Sequence, residues 1–256
     1  MEIRAAKFRV HRQWRHAGLY RPTEAETGAG VLMLHGFPGI QKNEDIAAEL
    51  CRRGLSVLMP HYRGCWGSPG EFSVHGAIED AAKALGLLSR YHHIDPSRIG
   101  LLGYSVGGWI ALRLAAQRPV AAVAVMAPAP PRSNEDSDKI YLRKHGKVIS
   151  IPDIKALWNE YLAAAREDHP DAYIRHISPT PLLIMQGLKD HLVPPTTSYV
   201  LWTQAGWPKD IIQLPNEDHE FQNDRPRVVS TLCDWMQAHL AAKRREPKPA
   251  ARAALN

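Results

Sequence analysis

Gly103-Tyr104-Ser105-Val106-Gly107 is a G-x-S-x-G run set between an apolar stretch, Arg98–Leu102, and a helical pattern that begins at Val106. A serine in that place sits on a tight strand-to-helix turn, with its hydroxyl projecting at the carboxyl edge of a sheet. The flanking glycines let strand and helix approach closely, and Gly108 adds room. A helix beginning directly after the serine aims its first N–H groups, and the positive end of its dipole, at any anion formed beside it. These are parts for nucleophilic attack on an acyl carbonyl.

A serine hydroxyl is a poor nucleophile at neutral pH, so it needs a base, and the base needs a carboxylate to fix its tautomer. Two loops that follow downstream apolar runs can supply them. Gln186-Gly187-Leu188-Lys189-Asp190 follows Leu182–Met185, and Pro215-Asn216-Glu217-Asp218-His219 follows Ile211–Leu214. Loops at the carboxyl edge of a parallel sheet converge, and the chain order Ser, Asp, His suits such a sheet. Asp190 and His219 are therefore the expected partners of Ser105. With 13 histidines in the chain, position decides. His191 and Asp218 adjoin Asp190 and His219 on the same loops and point elsewhere. Glu135 and Asp136, the first carboxylates after Met126, lie too far into an insertion.

Acyl transfer also needs donors for the oxyanion. His35-Gly36-Phe37-Pro38-Gly39 follows the apolar run Val31–Leu34, and the Phe37 N–H is expected to join that of Val106. Pro38 has no N–H to compete. His35 is expected to hold the loop rather than to move protons.

The elements that must position these groups read as α/β with a mostly parallel central sheet. Short runs rich in Val, Ile, Leu and Met recur at Val31–Leu34, Leu55–Met59, Arg98–Leu102, Val120–Met126, Leu182–Met185 and Ile211–Leu214. Such runs suit strands buried on both faces by crossover helices, and all six are expected to be central. Lys7–Val10 and Leu19–Arg21 form an entry hairpin whose basic alternation suits an edge. Helices are expected over Asn43–Arg53, Val74–Tyr91, Val106–Gln117, Thr196–Gly206 and Arg225–Lys243.

The rhythm breaks between Pro128 and Pro179. There Ile154, Leu157, Trp158, Tyr161 and Leu162 recur at helical spacing and give one apolar face. That helix either packs on the body or forms a small cap whose aromatics, Trp158 and Tyr161, line an acyl pocket.

Length and composition fit one globular domain with a sizeable core. The net charge of +6 is concentrated at the ends, since residues 1–16 and 243–256 each carry a local +4. With no nucleic-acid-binding fingerprint between them, no nucleic-acid partner is expected. Cys51, Cys65 and Cys233 are widely spaced, with no C-x-x-C pair, and read as core thiols. No metal cluster or phosphate-cradling glycine loop is present in the sequence pattern. Met1-Glu2-Ile3-Arg4 opens no signal-peptide run, and Val120–Pro131 is too short to span a bilayer. The expected compartment is the cytoplasm, and no integral membrane segment is expected. Oligomeric state has no signature in the sequence.

His35–Gly39, the Pro60–Gly70 loop, the Ser105 run, Ser178–Pro194 and Asp218-His219-Glu220-Phe221 together make the chain resemble the α/β-hydrolase superfamily. Within it, the chain is similar to the esterase/peptidase branch of dienelactone hydrolases, cinnamoyl esterases and prolyl-oligopeptidase-like catalytic domains. The resemblance implies an α/β-hydrolase fold. The pattern along the chain places that domain at residues 1–242 with a small helical cap insertion at about 130–178, and the Ala/Pro/Lys/Arg-rich basic tail, 243–256, is expected to fray into solvent. The resemblance also implies the same Ser105, Asp190, His219, Phe37 and Val106 assignments, a small-molecule acyl substrate, and hydrolysis without metal or organic cofactor. Carboxylic esters cleaved through an acyl-enzyme are the first expectation. Short or acylated peptides and acyl thioesters are alternatives, with a non-catalytic ligand-binding homologue as a further one. No oligopeptidase-type propeller is expected within these residues, and Ser105 stands where dienelactone hydrolases use Cys.

Overall fold

Strand β1 (Glu2–Val10) pairs antiparallel with β2 (Gln13–Arg21), in register from Glu2 opposite Arg21 to Val10 opposite Gln13. After them come β3 (Gly30–Leu34), β4 (Ser56–Pro60), β5 (Ile99–Tyr104), β6 (Ala122–Met126), β7 (Leu182–Gly187) and β8 (Lys209–Leu214). The computed structural model describes residues 1–24, 26–37, 42–130, 149–151 and 153–241. Its strands form one sheet in the order β1-β2-β4-β3-β5-β6-β7-β8, in which β2 meets β4 antiparallel and every later pairing is parallel. The expected α/β architecture is the one observed.

The helices are α1 (Glu44–Arg52), α2 (Val74–Leu88), α3 (Val106–Gln117), α4 (Ile154–Glu167), α5 (Pro195–Gln204) and α6 (Arg225–Leu240). They cover both faces of the sheet, and the period-2 alternation of strand side chains divides the core accordingly. Leu32, Leu34, Leu101, Val123, Val125 and Ile184 pack with α2, α3 and α4. Val31, Met33, Leu102, Ala124, Met126 and Met185 pack with α1 and α6 on the other side. Residues of β3 to β7 are buried without a break, which is why these strands read as continuous apolar runs.

Two expectations about the sheet need correction. The last strand is not central: β8 is an edge, and Lys209, Asp210 and Gln213 leave it only partly buried. At the other end, only β1 is an edge strand. β2 lies inside the sheet, where its basic Arg15 is buried rather than solvated, with Nε 3.1 Å from Oδ1 of the fully buried Asp80. Asp80 also accepts from the Arg63 backbone N–H at 2.7 Å and from the Arg63 guanidinium. The pair of arginines thereby ties β2, α2 and the loop after β4 together.

Between Pro128 and Pro179 the described residues form α4 and two short 3-10 turns, Pro170–Ala172 and Ile174–Ile177. Asp153 caps α4 by accepting from the Lys155 and Ala156 N–H groups. Residues 131–148, including Glu135 and Asp136, lie outside the described residues, as do Pro38, Gly39 and the basic tail 243–256. Cys51, Cys65 and Cys233 are buried and free. No helix among the described residues is long and apolar enough to cross a membrane.

Candidate active site

Ser105 occupies the residue before α3, the place where a serine side chain normally caps the helix by accepting from the N–H two or three residues on. Here it caps nothing. Its backbone has φ 53° and ψ −122°, a conformation that costs a non-glycine residue roughly 1–3 kcal/mol and persists only when its surroundings enforce it. They do: the Ser105 N–H donates to the Met126 carbonyl at 2.9 Å, and its carbonyl accepts from the N–H groups of Gly108 and Ala129, both at 2.9 Å. The strained turn rotates Oγ away from the helix and toward the sheet edge.

The glycines of the run follow from the same close approach. A Cβ on Gly103 would stand 2.3 Å from the Gly107 carbonyl oxygen, and one on Gly107 would stand 2.3 Å from the carbonyl oxygens of both Leu34 and His35.

Oγ of Ser105 lies 3.1 Å from Nε2 of His219, and Nδ1 of His219 lies 2.8 Å from Oδ2 of Asp190. In this arrangement Nδ1–H donates to the carboxylate and Nε2 accepts from the serine hydroxyl. All three residues are buried. Asp190 sits just after β7 and His219 just after β8, on loops that lock together. The Lys189 N–H donates to the Glu217 carbonyl at 2.9 Å, and a Cβ on Gly187 would stand 2.5 Å from that same oxygen. Glu217, also buried, accepts from the N–H groups of Asn223 and Asp224 and so closes the turn around His219. The neighbours rejected on position are exposed, namely His191 and Asp218.

Burial pushes the Asp190 carboxyl upward. The His219 ring N–H and charge, the Val193 N–H and the Gln186 amide outweigh that effect and hold it below the usual carboxylate range. Its Oδ1 accepts from the N–H groups of Leu192 and Val193 at 2.9 and 2.8 Å, and its Oδ2 accepts from Gln186 Nε2 at 3.1 Å. Gln186 escaped the sequence reading, although a polar side chain at the end of an apolar strand is a signal that could have found it. So did Tyr104, whose hydroxyl donates to the His219 carbonyl at 3.1 Å.

The segment His35-Gly36-Phe37 runs against the turn, so close that a Cβ on Gly36 would be 3.1 Å from Cβ of Ser105. Val106 is the first residue of α3, where backbone N–H groups lack intrahelical acceptors. His35 is buried, and its Nδ1 lies 2.8 Å from the Gly36 carbonyl oxygen. Its ring packs on Tyr62 and Trp66, with centroids at 4.0 and 4.4 Å. Burial drives its pKa down to about 3, so it is a neutral ring that braces the loop.

A cavity of about 70 Å³ opens onto Ser105, Val106 and His219. Phe37, Phe72 and Trp109 line it from the body, and Leu157, Trp158 and Tyr161 line it from α4. Trp158 and Tyr161 stack on each other with centroids 5.7 Å apart, and Phe37 meets Phe72 edge to face at 5.3 Å. The alternatives for this helix are thus not exclusive: α4 packs on the body through Leu157 and Ala164 and also walls the cavity. Among the described residues, no cluster of His, Cys, Asp and Glu could hold a metal ion.

Residues 31–223 match a protein-family model described as alpha/beta hydrolase fold. An uncharacterized protein of Mycobacterium tuberculosis is 32% identical over 210 residues, covering 80% of this chain and 68% of that one. The acylamino-acid-releasing enzyme of Homo sapiens is 31% identical over 238 residues, which cover 83% of this chain and 31% of that enzyme. Among solved structures, the alpha/beta hydrolase GrgF from Penicillium sp. sh18 superposes with a TM-score of 0.77 at 18% identity, covering 94% of this chain and 99% of that one. Est1E from Butyrivibrio proteoclasticus, with ferulic acid bound, superposes with a TM-score of 0.76 at 16% identity, covering 93% and 100%. The family match spans most of the chain and contains every element that carries Ser105, Asp190 and His219: the chain belongs to the α/β-hydrolase family.

Proposed function

We propose that this hydrolase cleaves carboxylic esters of small molecules through an acyl-enzyme formed on Ser105, with His219 as general base and Asp190 as its orienting carboxylate. The observation that carries this is the Ser105 Oγ to His219 Nε2 to Asp190 Oδ2 chain at 3.1 and 2.8 Å, built on a turn that turns Oγ away from capping its own helix.

As Ser105 Oγ attacks the acyl carbon, its proton passes to His219 Nε2, and the imidazolium that forms is held by the Asp190 carboxylate. The negative charge on the former carbonyl oxygen is met by the N–H groups of Phe37 and Val106, each well-aimed donor lowering the barrier by about 3–4 kcal/mol. Collapse breaks the bond to the leaving alkoxide, which takes the proton from His219. Water then enters, gives a proton to His219 as it attacks the acyl-enzyme, and releases the acid and free Ser105. The acyl group lies in the apolar cavity between Phe37, Trp109 and Trp158, where no charged side chain lines the wall among the described residues.

Purified protein is expected to hydrolyse p-nitrophenyl acetate or butyrate, and Ser105→Ala to lower turnover by roughly 10⁶-fold if the three residues act as a unit. A fluorophosphonate probe is expected to label Ser105. Retention of most activity by Ser105→Ala in a clean preparation rejects the assignment.

One comparison favours a second reading, cleavage of acylated peptides: the 238 residues matched to acylamino-acid-releasing enzyme. Parallel assays on acylaminoacyl anilides and on esters separate the two, because an anilide preference would move the leaving group from an alcohol to an amine.

A further inference from the structure

Helix α2 begins at Val74, and its first turn presents three backbone N–H groups that the helix itself cannot satisfy. Ser73 takes only one, its Oγ accepting from the Gly76 N–H at 3.0 Å. The other two belong to a residue far along the chain. Glu160, on α4, accepts from the Val74 N–H at 3.0 Å and from the His75 N–H at 2.9 Å. Its Oε1 also lies 2.7 Å from Nδ1 of the His75 ring. A carboxylate facing the positive end of a helix dipole is held by charge as well as by hydrogen bonds.

The position of this contact matters. Val74 lines the cavity at Ser105, and so do Trp158 and Tyr161, the residues two before and one after Glu160. The two first-turn bonds therefore join the part of the cavity wall that α2 supplies to the part that α4 supplies, and they do so through the backbone of α2.

We propose that Glu160 is a specificity-determining positioning residue: by capping α2 from α4 it fixes the spacing between Val74 and the Trp158–Tyr161 pair, and so limits the length of acyl chain that reaches Ser105. This role rests on ester hydrolysis at Ser105. Glu160 itself does not line the cavity. It acts by holding the wall that does. With α2 and α4 held together in this way, the protein is expected to favour acetate and butyrate over longer esters. Without the clamp, α4 can move outward and the preference broadens.

The test uses the full chain, Glu160→Ala and Glu160→Gln, and two readouts. The first is the ratio of kcat/KM for p-nitrophenyl hexanoate to that for p-nitrophenyl acetate. It is expected to rise about 10-fold in Glu160→Ala and less in Glu160→Gln, which keeps one acceptor and the side-chain shape. The second is amide hydrogen exchange at Val74 and His75, expected to be protected in the parent protein and about 10-fold faster in Glu160→Ala. If Glu160→Ala does not fold, Glu160→Gln carries both readouts. An unchanged ratio in the folded variants, or unchanged exchange at Val74 and His75, overturns the proposal. Absence of Ser105-dependent hydrolysis by the parent protein instead overturns the ester reading, while exchange still reports on the clamp.

Discussion

The Ser198 hydroxyl donates to Gln186 Oε1 at 2.6 Å, and this one bond fixes which way the Gln186 amide faces. With Oε1 engaged, Nε2 points at Asp190 Oδ2, 3.1 Å away, and also reaches the Gly187 and Val193 carbonyl oxygens. Gln186 and Ser198 are both fully buried. A line of hydrogen bonds therefore runs from α5 through β7 to the carboxylate beside His219.

Gln186→Leu is expected to lower kcat by roughly 10- to 100-fold, the loss expected when a hydrogen bond to a charged group worth about 1.5–3 kcal/mol is removed. KM should change much less, because Gln186 does not line the cavity. Ser198→Ala leaves the amide in place without its guide and is expected to give a smaller fall, which Ser198→Thr restores by returning a hydroxyl. Steady-state kinetics on p-nitrophenyl butyrate check both. An equal fall in all three variants would point to general destabilisation instead.

Two glycine-to-alanine changes should have opposite signs. The Gly107 Cβ would press on two backbone carbonyls at 2.3 Å, those of Leu34 and His35, and neither can move without displacing the loop that carries Phe37. Gly107→Ala is expected to lower kcat by at least about 100-fold, the scale of losing an oxyanion donor, or to prevent folding. Gly86, in α2, has nothing within 4 Å of its would-be Cβ. Gly86→Ala is expected to stabilise the protein by about 0.5–1 kcal/mol, since alanine has less backbone freedom to lose in a helix. Urea unfolding measures the second, and a destabilised Gly86→Ala would contradict it.

The convergence of Ser105, Asp190 and His219 was legible because each follows a strand that reads as a buried apolar run, and parallel strands deliver their loops to one edge. The edge status of β8 was not, since Ile211, Ile212 and Leu214 resemble a core strand until its single neighbour is known. The Arg15–Asp80 pair gave no signal either. Its partners are 65 residues apart, and each reads locally as an ordinary surface charge. Glu160 was hidden for the same reason: on the helix it is one acidic residue among solvated ones, and only the packing of α4 against the start of α2 makes it a cap.

Acid should destabilise the fold through His35. Its folded pKa, about 3, lies below that of an unfolded histidine, so the unfolded state binds the extra proton. Stability is therefore fully retained above about pH 6.5 and is lost as pH falls from there toward 3. Between pH 7 and pH 5 this one ring accounts for a loss of about 2 kcal/mol. His35→Asn, which keeps a donor for the Gly36 carbonyl but cannot titrate, is expected to flatten the pH dependence of urea unfolding by about that amount. A variant whose slope matched that of the parent protein would show that His35 is not the source.

The buried charges around Asp80 set the last expectation. Asp80 is fully buried and accepts from Arg15 Nε, from the Arg63 backbone N–H and from the Arg63 guanidinium. Arg15 is itself 2% exposed. Its other described acceptors are the Gln13 side chain and the Trp14 carbonyl, both neutral. Asp80→Ala thus removes the one carboxylate that the described residues place against the buried Arg15 guanidinium, a change that costs about 3–5 kcal/mol. For a chain of this size that corresponds to a fall in Tm of roughly 10 °C. The loop from Arg63 to Phe72 is anchored by the same carboxylate, and Phe72 walls the cavity. The variant is therefore expected to show a higher KM as well as a lower Tm. Arg63→Met leaves Asp80 paired with Arg15 and keeps the aliphatic stem, so its Tm should fall less. Scanning calorimetry with matched kinetics decides the matter: a larger loss for Arg63→Met than for Asp80→Ala would place the anchor on Arg63 rather than on the buried carboxylate.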